Sequence, residues 1–196
     1  MVRIVVEGFH GTDVKNISQI LESGFQSEVR QDHWLGQGIY FYDNHDLALW
    51  WIKAKLKTST LQKCGVIKAV LECEKQEFLD LDTIQGVDLF QIEVKRILKE
   101  ELPDIQFTFG KSSTDRIKNF CFALDLLKSL REIKLVAMTF LKDDPSYASE
   151  NVKFFDRDVF TLPYSFTYRE RQICTISNDH ISSKDCVHPK NRTNWR

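Results

Sequence analysis

The chain has 196 residues, of which 42% are hydrophobic and 28% are charged, a composition typical of a globular domain and not of a disordered chain. Its formal net charge of −1 excludes the strongly basic character of many nucleic-acid-binding domains, although a local basic groove is compatible with it. Five widely spaced cysteines without a C-x-x-C pair indicate neither a disulfide framework nor a zinc site. Because no signal pattern and no apolar run of about 18 residues is found, we predict a cytoplasmic protein without a membrane partner.

The first third of the chain predicts a strand, a helix, a second strand and a second helix. The β-branched run RIVVEGFH predicts a strand over 3–10, and apolar residues at helical spacing predict a helix over 13–25 that Gly24 ends. After a polar loop, GIYFYD predicts a strand over 38–43, and NHDLALWWIKAKLKTS predicts a helix over 44–59.

The rest of the chain distributes strands and helices unevenly, which favours the α+β class over a regular βαβ winding. The remaining predicted elements are strands over 64–73, 77–81, 133–142 and 166–176 and helices over 83–102 and 114–131. The polar residues 143–163 predict a long loop. We assign residues 1–182 to one folded domain and residues 183–196 to a polar, basic tail, because apolar periodicity ends there.

Three short motifs in this order carry a resemblance to a known family. His10-Gly11-Thr12 follows the first strand, Gly38-Ile39-Tyr40-Phe41 opens the second, and Glu170-Arg171-Gln172 lies in the last. Together, and most closely over residues 8–51, they resemble the diphtheria-toxin-like ADP-ribosyltransferases, the superfamily that includes the poly(ADP-ribose) polymerases. Each motif alone is common, but HGT followed by GQGIYF at this spacing is a specific signal.

The resemblance implies a fold and an activity. The fold is the ADP-ribosyltransferase fold, in which two short antiparallel β-sheets with flanking helices form an NAD cleft. The activity is mono-ADP-ribosyl transfer from NAD, a substrate, to a macromolecular acceptor, either protein or nucleic acid, with release of nicotinamide and without a metal. Chains of this size are similar to bacterial or phage-linked toxins and defence effectors, so the resemblance also implies an inhibitory antitoxin protein as a partner.

The resemblance further implies roles for individual residues. His10 would hydrogen-bond the adenine-side ribose, the main chain of Gly11 would pair with the nicotinamide carboxamide, and Tyr40 and Trp50 would stack on the nicotinamide ring. Aromatic stacking suits this ring because it is a pyridinium cation. The residues implied in NAD binding are His10, Gly11, Thr12, Gly38, Tyr40, Phe41 and Trp50.

The last strand departs from the family pattern, which places a catalytic glutamate there. Strand alternation puts Glu170 and Gln172 on one face, so both side chains can face the same cleft. The sequence order is E-x-Q, and the alignment places either residue in the catalytic position. We favour Glu170 as the charged member and keep Gln172 as a site residue; either assignment favours transfer of a single ADP-ribose.

Other interpretations remain open at this point. An NAD glycohydrolase, or a noncatalytic module that binds NAD, ADP-ribose or nucleic acid, fits the same motifs. Trp50 and Trp51 are also typical of a helix core, with the register between them unsettled, and Glu170 is also typical of a solvated charge on an edge strand. Asp80 and Asp82 are more typical of a turn and helix cap than of a metal pair.

Overall fold

The computed structural model describes residues 2–27, 34–103, 113–142 and 168–189. Over these ranges strands and helices alternate irregularly, and the α+β class is confirmed. The predicted loop over 143–163 and the last residues of the predicted tail, 190–196, lie outside the described residues. No helix in the described ranges is both long and apolar enough to cross a membrane.

The predicted elements recur with somewhat different ends. The strands are β1 (Arg3–Asp13), β2 (Ile39–Tyr42), β3 (Cys64–Glu74), β4 (Phe78–Asp80), β5 (Leu135–Lys142), β6 (Tyr168–Thr175) and β7 (Ile181–His188). The helices are α1 (Ile17–Ser23), α2 (His45–Lys55), α3 (Ile84–Arg96), which a π-helical turn extends over Ile97–Glu101, and α4 (Ser113–Leu130).

The strands form one seven-stranded sheet in the order β4-β5-β6-β2-β1-β3-β7. Strand β1 pairs with β3 along its whole length, from Arg3↔Glu74 to Asp13↔Cys64. Between β1 and β2, however, the ladder consists of the single residue pair Phe9↔Tyr42. The sheet therefore has two wings, which we call the β1 wing (β1, β3, β7) and the β2 wing (β2, β6, β5, β4).

Two predictions differ from this topology. The two antiparallel sheets expected from the resemblance are here two wings of one hydrogen-bonded sheet, and the β2 wing is mixed because β4 pairs with β5 in parallel. The tail prediction is wrong for residues 183–188, because β7 pairs with β3 from Leu71↔Ile181 to Val66↔His188. An edge strand with one solvated face lacks the apolar run that marks a buried strand, which is why the sequence pattern missed it.

Apolar residues pack on both faces of the sheet. One cluster includes Phe41, Ile67 and Ile173, and a second lies under α4 around Leu124 and Val136. This alternation follows from the period of two along each strand, which sends neighbouring side chains to opposite faces. The site described below lies where the two wings separate.

Gly11 allows β1 to pack closely against α2. A Cβ at this position would lie 2.3 Å from the carbonyl oxygen of Ala48 and 3.1 Å from Cβ of Ile52. The resemblance implies that the main chain of Gly11 pairs with a ligand. Gly11 lies within β1 without a positive φ, packs closely against α2 and also lines the cleft described below.

We expect Gly11→Ala to lower the free energy of unfolding by about 1–3 kcal/mol, the usual cost of overpacking. The added methyl group must displace α2 backbone, which cannot move as freely as a side-chain end. Chemical denaturation monitored by tryptophan fluorescence would measure the change. Val5→Ala on the same strand is the control, since Val5 is 59% exposed; equal stability of the two variants would contradict the packing role of Gly11.

Candidate active site

A cleft of about 610 Å³ opens where the β1 and β2 wings separate. Its wall comes from the end of β1, from β2, from the second half of α2 and from β6. Small-molecule sites typically enclose about 300–1,000 Å³, so the cleft has the size of a ligand site. All three sequence motifs contribute residues to it.

His10 joins the two wings at the cleft. Its Nδ1 donates to the carbonyl oxygen of Tyr40 at 2.8 Å, and its ring packs edge-on against Phe25 at 4.9 Å between ring centroids. Because a carbonyl only accepts, the proton lies on Nδ1 in the neutral ring and Nε2 is a hydrogen-bond acceptor. Burial lowers the pKa of the imidazole, the hydrogen bond to Tyr40 opposes this effect, and the charge of Lys55 lowers the pKa further. His10 is therefore neutral at pH 7, which is the form that accepts a bond from a hydroxyl group.

Phe25 is held beside His10 from the far end of the chain. The side chain of Asn178 accepts from the Phe25 amide at 2.8 Å and donates to the Phe25 carbonyl at 2.8 Å. Gly24 precedes it with φ +88°, and a Cβ there would lie 2.7 Å from Oδ1 of Asn178. The glycine that ends α1 therefore also makes room for the asparagine.

Tyr40 contributes to the site mainly through its position in β2. Its hydroxyl accepts from the Leu35 amide at 2.8 Å and donates to the Gly36 carbonyl at 2.5 Å, while its ring packs against the cluster under α4. Burial raises the pKa of the phenol, so it stays protonated. Tyr40 lines the cleft, as predicted, but its hydroxyl binds the turn before β2 and its carbonyl holds His10.

The loop before β2 is anchored from α4 by two residues that the sequence analysis did not single out. The buried ammonium of Lys128 donates to the carbonyls of Leu35 and Gln37, each at 2.6 Å. Asp125, one helical turn earlier, accepts from the Gln37 amide at 2.7 Å and lies 3.6 Å from the Lys128 ammonium. A lysine on an amphipathic helix is ordinarily exposed to solvent. The buried position of Lys128 depends on its contacts with a loop about ninety residues earlier in the sequence, so the helix sequence alone does not reveal it.

Gly38 and Phe41 line the cleft, as predicted, and each also has a packing role. Gly38 adopts φ +151°, and a Cβ there would lie 2.5 Å from both Sγ of Cys174 and the carbonyl oxygen of Thr175. Phe41, predicted to bind NAD, is fully buried, and its ring packs against Phe25 and His10. Phe41 also lines the cleft, as predicted, so it packs the wall as well as forming part of it.

Thr12 also lies in the cleft wall as predicted. It is 6% exposed, and its Oγ1 accepts from the Asn16 side chain at 3.5 Å. The hydroxyl group is therefore part of the strand-to-helix turn as well as of the cleft.

The two adjacent tryptophans of α2 lie differently with respect to the cleft. Trp50 is 48% exposed and lies outside the cleft wall, whereas Trp51 lines the cleft. Successive residues of a helix differ by about 100° in direction, so a shift of one residue moves a side chain to another face. Lys55 lies over the Trp51 ring, with its Nζ 4.8 Å from the ring centroid.

Glu170 and Gln172 both line the cleft, as the strand alternation predicted. The Gln172 position pairs with Tyr42 at the end of β2, and Glu170 lies two residues before it, opposite Phe140 of β5. The side chain of Glu170 is 1% exposed. The alternative of a solvated charge on an edge strand is therefore wrong, because β6 lies between β5 and β2 and the carboxylate is buried.

Arg171, between these two residues, points away from the cleft. Its guanidinium pairs with Asp80, Nη2 to Oδ2 at 2.9 Å, and with Asp82. Asp82 also accepts from the amide and hydroxyl of Thr139, at 2.8 and 2.7 Å. The structural interpretation of the two aspartates is confirmed, although the cap of α3 is Thr83, which accepts from the Gly86 amide at 3.0 Å.

Comparison with known proteins gives one informative match. The chain is 39% identical, over 92 residues, to the uncharacterized protein MJ0359 of Methanocaldococcus jannaschii, a match that covers 45% of this chain and 43% of the relative. The chain thus spans less than half of the length of this relative. No family model matches the chain. No solved structure matches it either. The matched stretch is shorter than the sequence distance between His10 and Glu170, so it cannot include both residues.

We expect Lys128→Met to lower the free energy of unfolding by about 2–4 kcal/mol, because two buried carbonyls lose their donor. Lys118→Met is the matched control, since Lys118 is exposed on the same helix, and its effect should stay within about 0.5 kcal/mol. Urea denaturation would measure both. A Lys128→Met protein as stable as the control would contradict the anchoring of the loop.

The lowered pKa of His10 predicts a pH dependence of stability. Between its ordinary pKa of 6.5 and its lower folded-state pKa, the unfolded chain binds the proton that the folded protein excludes, so stability falls as the pH falls below 6.5. In His10→Gln the amide can still donate to the Tyr40 carbonyl but does not titrate. Denaturation series between pH 7 and pH 5 should therefore show a smaller loss for the variant; an unchanged slope would contradict a neutral, buried His10.

Proposed function

We propose that this chain is a mono-ADP-ribosyltransferase with an ADP-ribosyltransferase fold, and that the cleft between the wings binds NAD. The observation that carries the proposal is the convergence in one cleft of a neutral histidine from β1 and a buried carboxylate from β6. These residues come from opposite ends of the chain. The order of the motifs in the sequence supports the same assignment.

The geometry at His10 suits a ribose. Its Nε2 is an acceptor without a hydrogen-bond partner among the described residues, and a ribose hydroxyl is a matching donor. The fixed tautomer matters because the Tyr40 carbonyl holds the ring in one orientation. His10 would thus position the substrate and take no part in proton transfer.

Glu170 would stabilise the charge that develops in the reaction. The bond between the nicotinamide nitrogen and the ribose C1′ breaks, both electrons leave with neutral nicotinamide, and positive charge builds on the ribose. A negative charge fixed beside this ribose favours the transition state more than the ground state. The acceptor then bonds to C1′ and loses a proton. Gln172 would contribute a neutral hydrogen bond from the same face of β6.

Trp51, and not Trp50, is the aromatic residue of α2 that we assign to the nicotinamide ring. It lines the cleft, and a cation already lies on its ring face. A pyridinium ring would make the same kind of contact. The Trp51 side chain would thereby orient the bond that breaks.

The acceptor decides between related activities. Transfer to protein, RNA or DNA defines a transferase, whereas transfer to water defines an NAD glycohydrolase. A noncatalytic NAD-binding module is the third outcome and is favoured by the E-x-Q order. An inhibitory partner protein, of the kind found with toxins of this type, remains part of the proposal.

We expect Glu170→Gln to lower kcat for nicotinamide release by about 10²-fold or more, because one positioned electrostatic contact is lost. The substitution keeps the shape of the side chain, so KM should change much less. Purified protein would be incubated with labelled NAD and, separately, with cell protein, RNA and DNA. Label on one polymer class would identify the acceptor.

Arg169→Gln is the matched control, because Arg169 is exposed on the opposite face of the same strand. Gln172→Ala tests the second candidate: a large loss there with little loss in Glu170→Gln would transfer the catalytic role to Gln172. Absence of nicotinamide release from the wild-type protein under all these conditions would overturn both enzymatic assignments and leave the binding module.

A further inference from the structure

Lys55 is the last residue of α2, and its side chain reaches into the cleft. Its Nζ lies 4.8 Å from the centroid of the Trp51 ring. It is also close enough to His10 for its charge to add to the effect of burial on the imidazole pKa. The ammonium group is therefore near both parts of the wall, the one assigned to the ribose and the one assigned to nicotinamide.

The cations of the cleft differ in their partners. In the described part of the cleft wall the lysines are Lys15 and Lys55. Lys15 pairs with Asp13, Nζ to Oδ2 at 3.4 Å. Lys55 has no carboxylate within ion-pair distance among the described residues, and its contact is with an aromatic face. Its charge is thus available to an anion that enters the cleft.

The position of Lys55 also conflicts with a bound nicotinamide ring. Before its bond to ribose breaks, that ring is a pyridinium cation, and it would use the face of Trp51 on which the ammonium lies. Two cations at one ring face repel each other. The lysine side chain is long and exposed, so it can move without disturbing α2.

We propose that Lys55 binds the diphosphate of the dinucleotide and leaves the Trp51 face when it does so. This inference rests on the proposed function, since it assigns a residue to the substrate of that site. The single movement places a positive charge beside the phosphates and clears the ring face for the pyridinium. Lys55 is thus a residue that selects for a ligand with both an anionic and a cationic aromatic part.

Three ligands separate the binding of the diphosphate by Lys55 from the competition between Lys55 and a pyridinium for the Trp51 ring. NAD carries the diphosphate and the pyridinium, ADP-ribose carries the diphosphate alone, and 1-methylnicotinamide carries the pyridinium alone. Dissociation constants for each would be measured by calorimetry with the wild-type protein, Lys55→Gln, and Lys53→Gln. The last is the matched control, because Lys53 lies on the same helix but outside the cleft wall.

In Lys55→Gln, ADP-ribose binding should weaken by roughly tenfold, the loss expected for one charge-assisted hydrogen bond. Its dependence on salt concentration should also decrease, because one ion pair is gone. Binding of 1-methylnicotinamide should become stronger, because no ammonium competes for Trp51. Lys53→Gln should behave as wild type for all three ligands.

Opposite signs for ADP-ribose and 1-methylnicotinamide support the proposal, and a common sign or no change overturns it. A Lys55→Gln protein with the wild-type melting temperature shows that misfolding is not the cause of a change. If the wild-type protein binds NAD but releases no nicotinamide, the enzymatic function fails while the assignment of Lys55 is still decided by the three ligands. If wild type binds none of them, both proposals fail.

Discussion

The hydrogen bond from His10 to the Tyr40 carbonyl is the contact on which the site depends. Strands β1 and β2 share only the ladder pair Phe9↔Tyr42, so their backbones separate immediately beside it. The His10 side chain replaces the next ladder bond and joins the wings at the edge of the cleft. One contact thus joins the two wings beside their single ladder pair and fixes the imidazole with Nε2 as its acceptor atom.

Two lysines illustrate how the cleft combines a rigid wall with an adaptable group. Lys128 is 8% exposed and satisfied by two loop carbonyls and a nearby aspartate. Burying an ammonium group costs free energy unless it is fully hydrogen-bonded. Because moving the loop would break these hydrogen bonds, few alternative loop positions are stable. Lys55, by contrast, is exposed and in contact with a ring face. The first lysine fixes the start of β2, and the second is free to respond to a ligand.

The sequence predicted the elements and most of the cleft wall but not the contacts that fix them. HGT and GIYF were recognisable because each motif is contiguous, and alternation along β6 placed Glu170 and Gln172 on one face. The choice between Trp50 and Trp51 depended on how α2 is rotated about its own axis. The spacing of residues in the motif does not determine that rotation when two tryptophans are adjacent.

Other features were hidden because they depend on distant partners. Lys128 can anchor the loop before β2 only because that loop lies beneath α4. Strand β7 forms only because β3 offers an edge with which it can pair. Neither requirement leaves an apolar pattern in the local sequence. The same applies to Gly11. The glycine itself indicated a close contact, but the sequence did not show that the contacting group is the Ala48 carbonyl.

The proposed function depends on the position of Glu170, which is buried in the cleft wall. An apolar residue in this part of β6 would pack against Phe140 without the cost of removing a carboxylate from water. Arg171, the adjacent residue, shows how the fold treats a charge that serves stability: it lies on the opposite face and is paired with two aspartates. Glu170 lies instead on the other face of β6, where it lines the same cleft as His10. Under the proposed function, this position would set the charge of Glu170 beside the ribose on which positive charge develops.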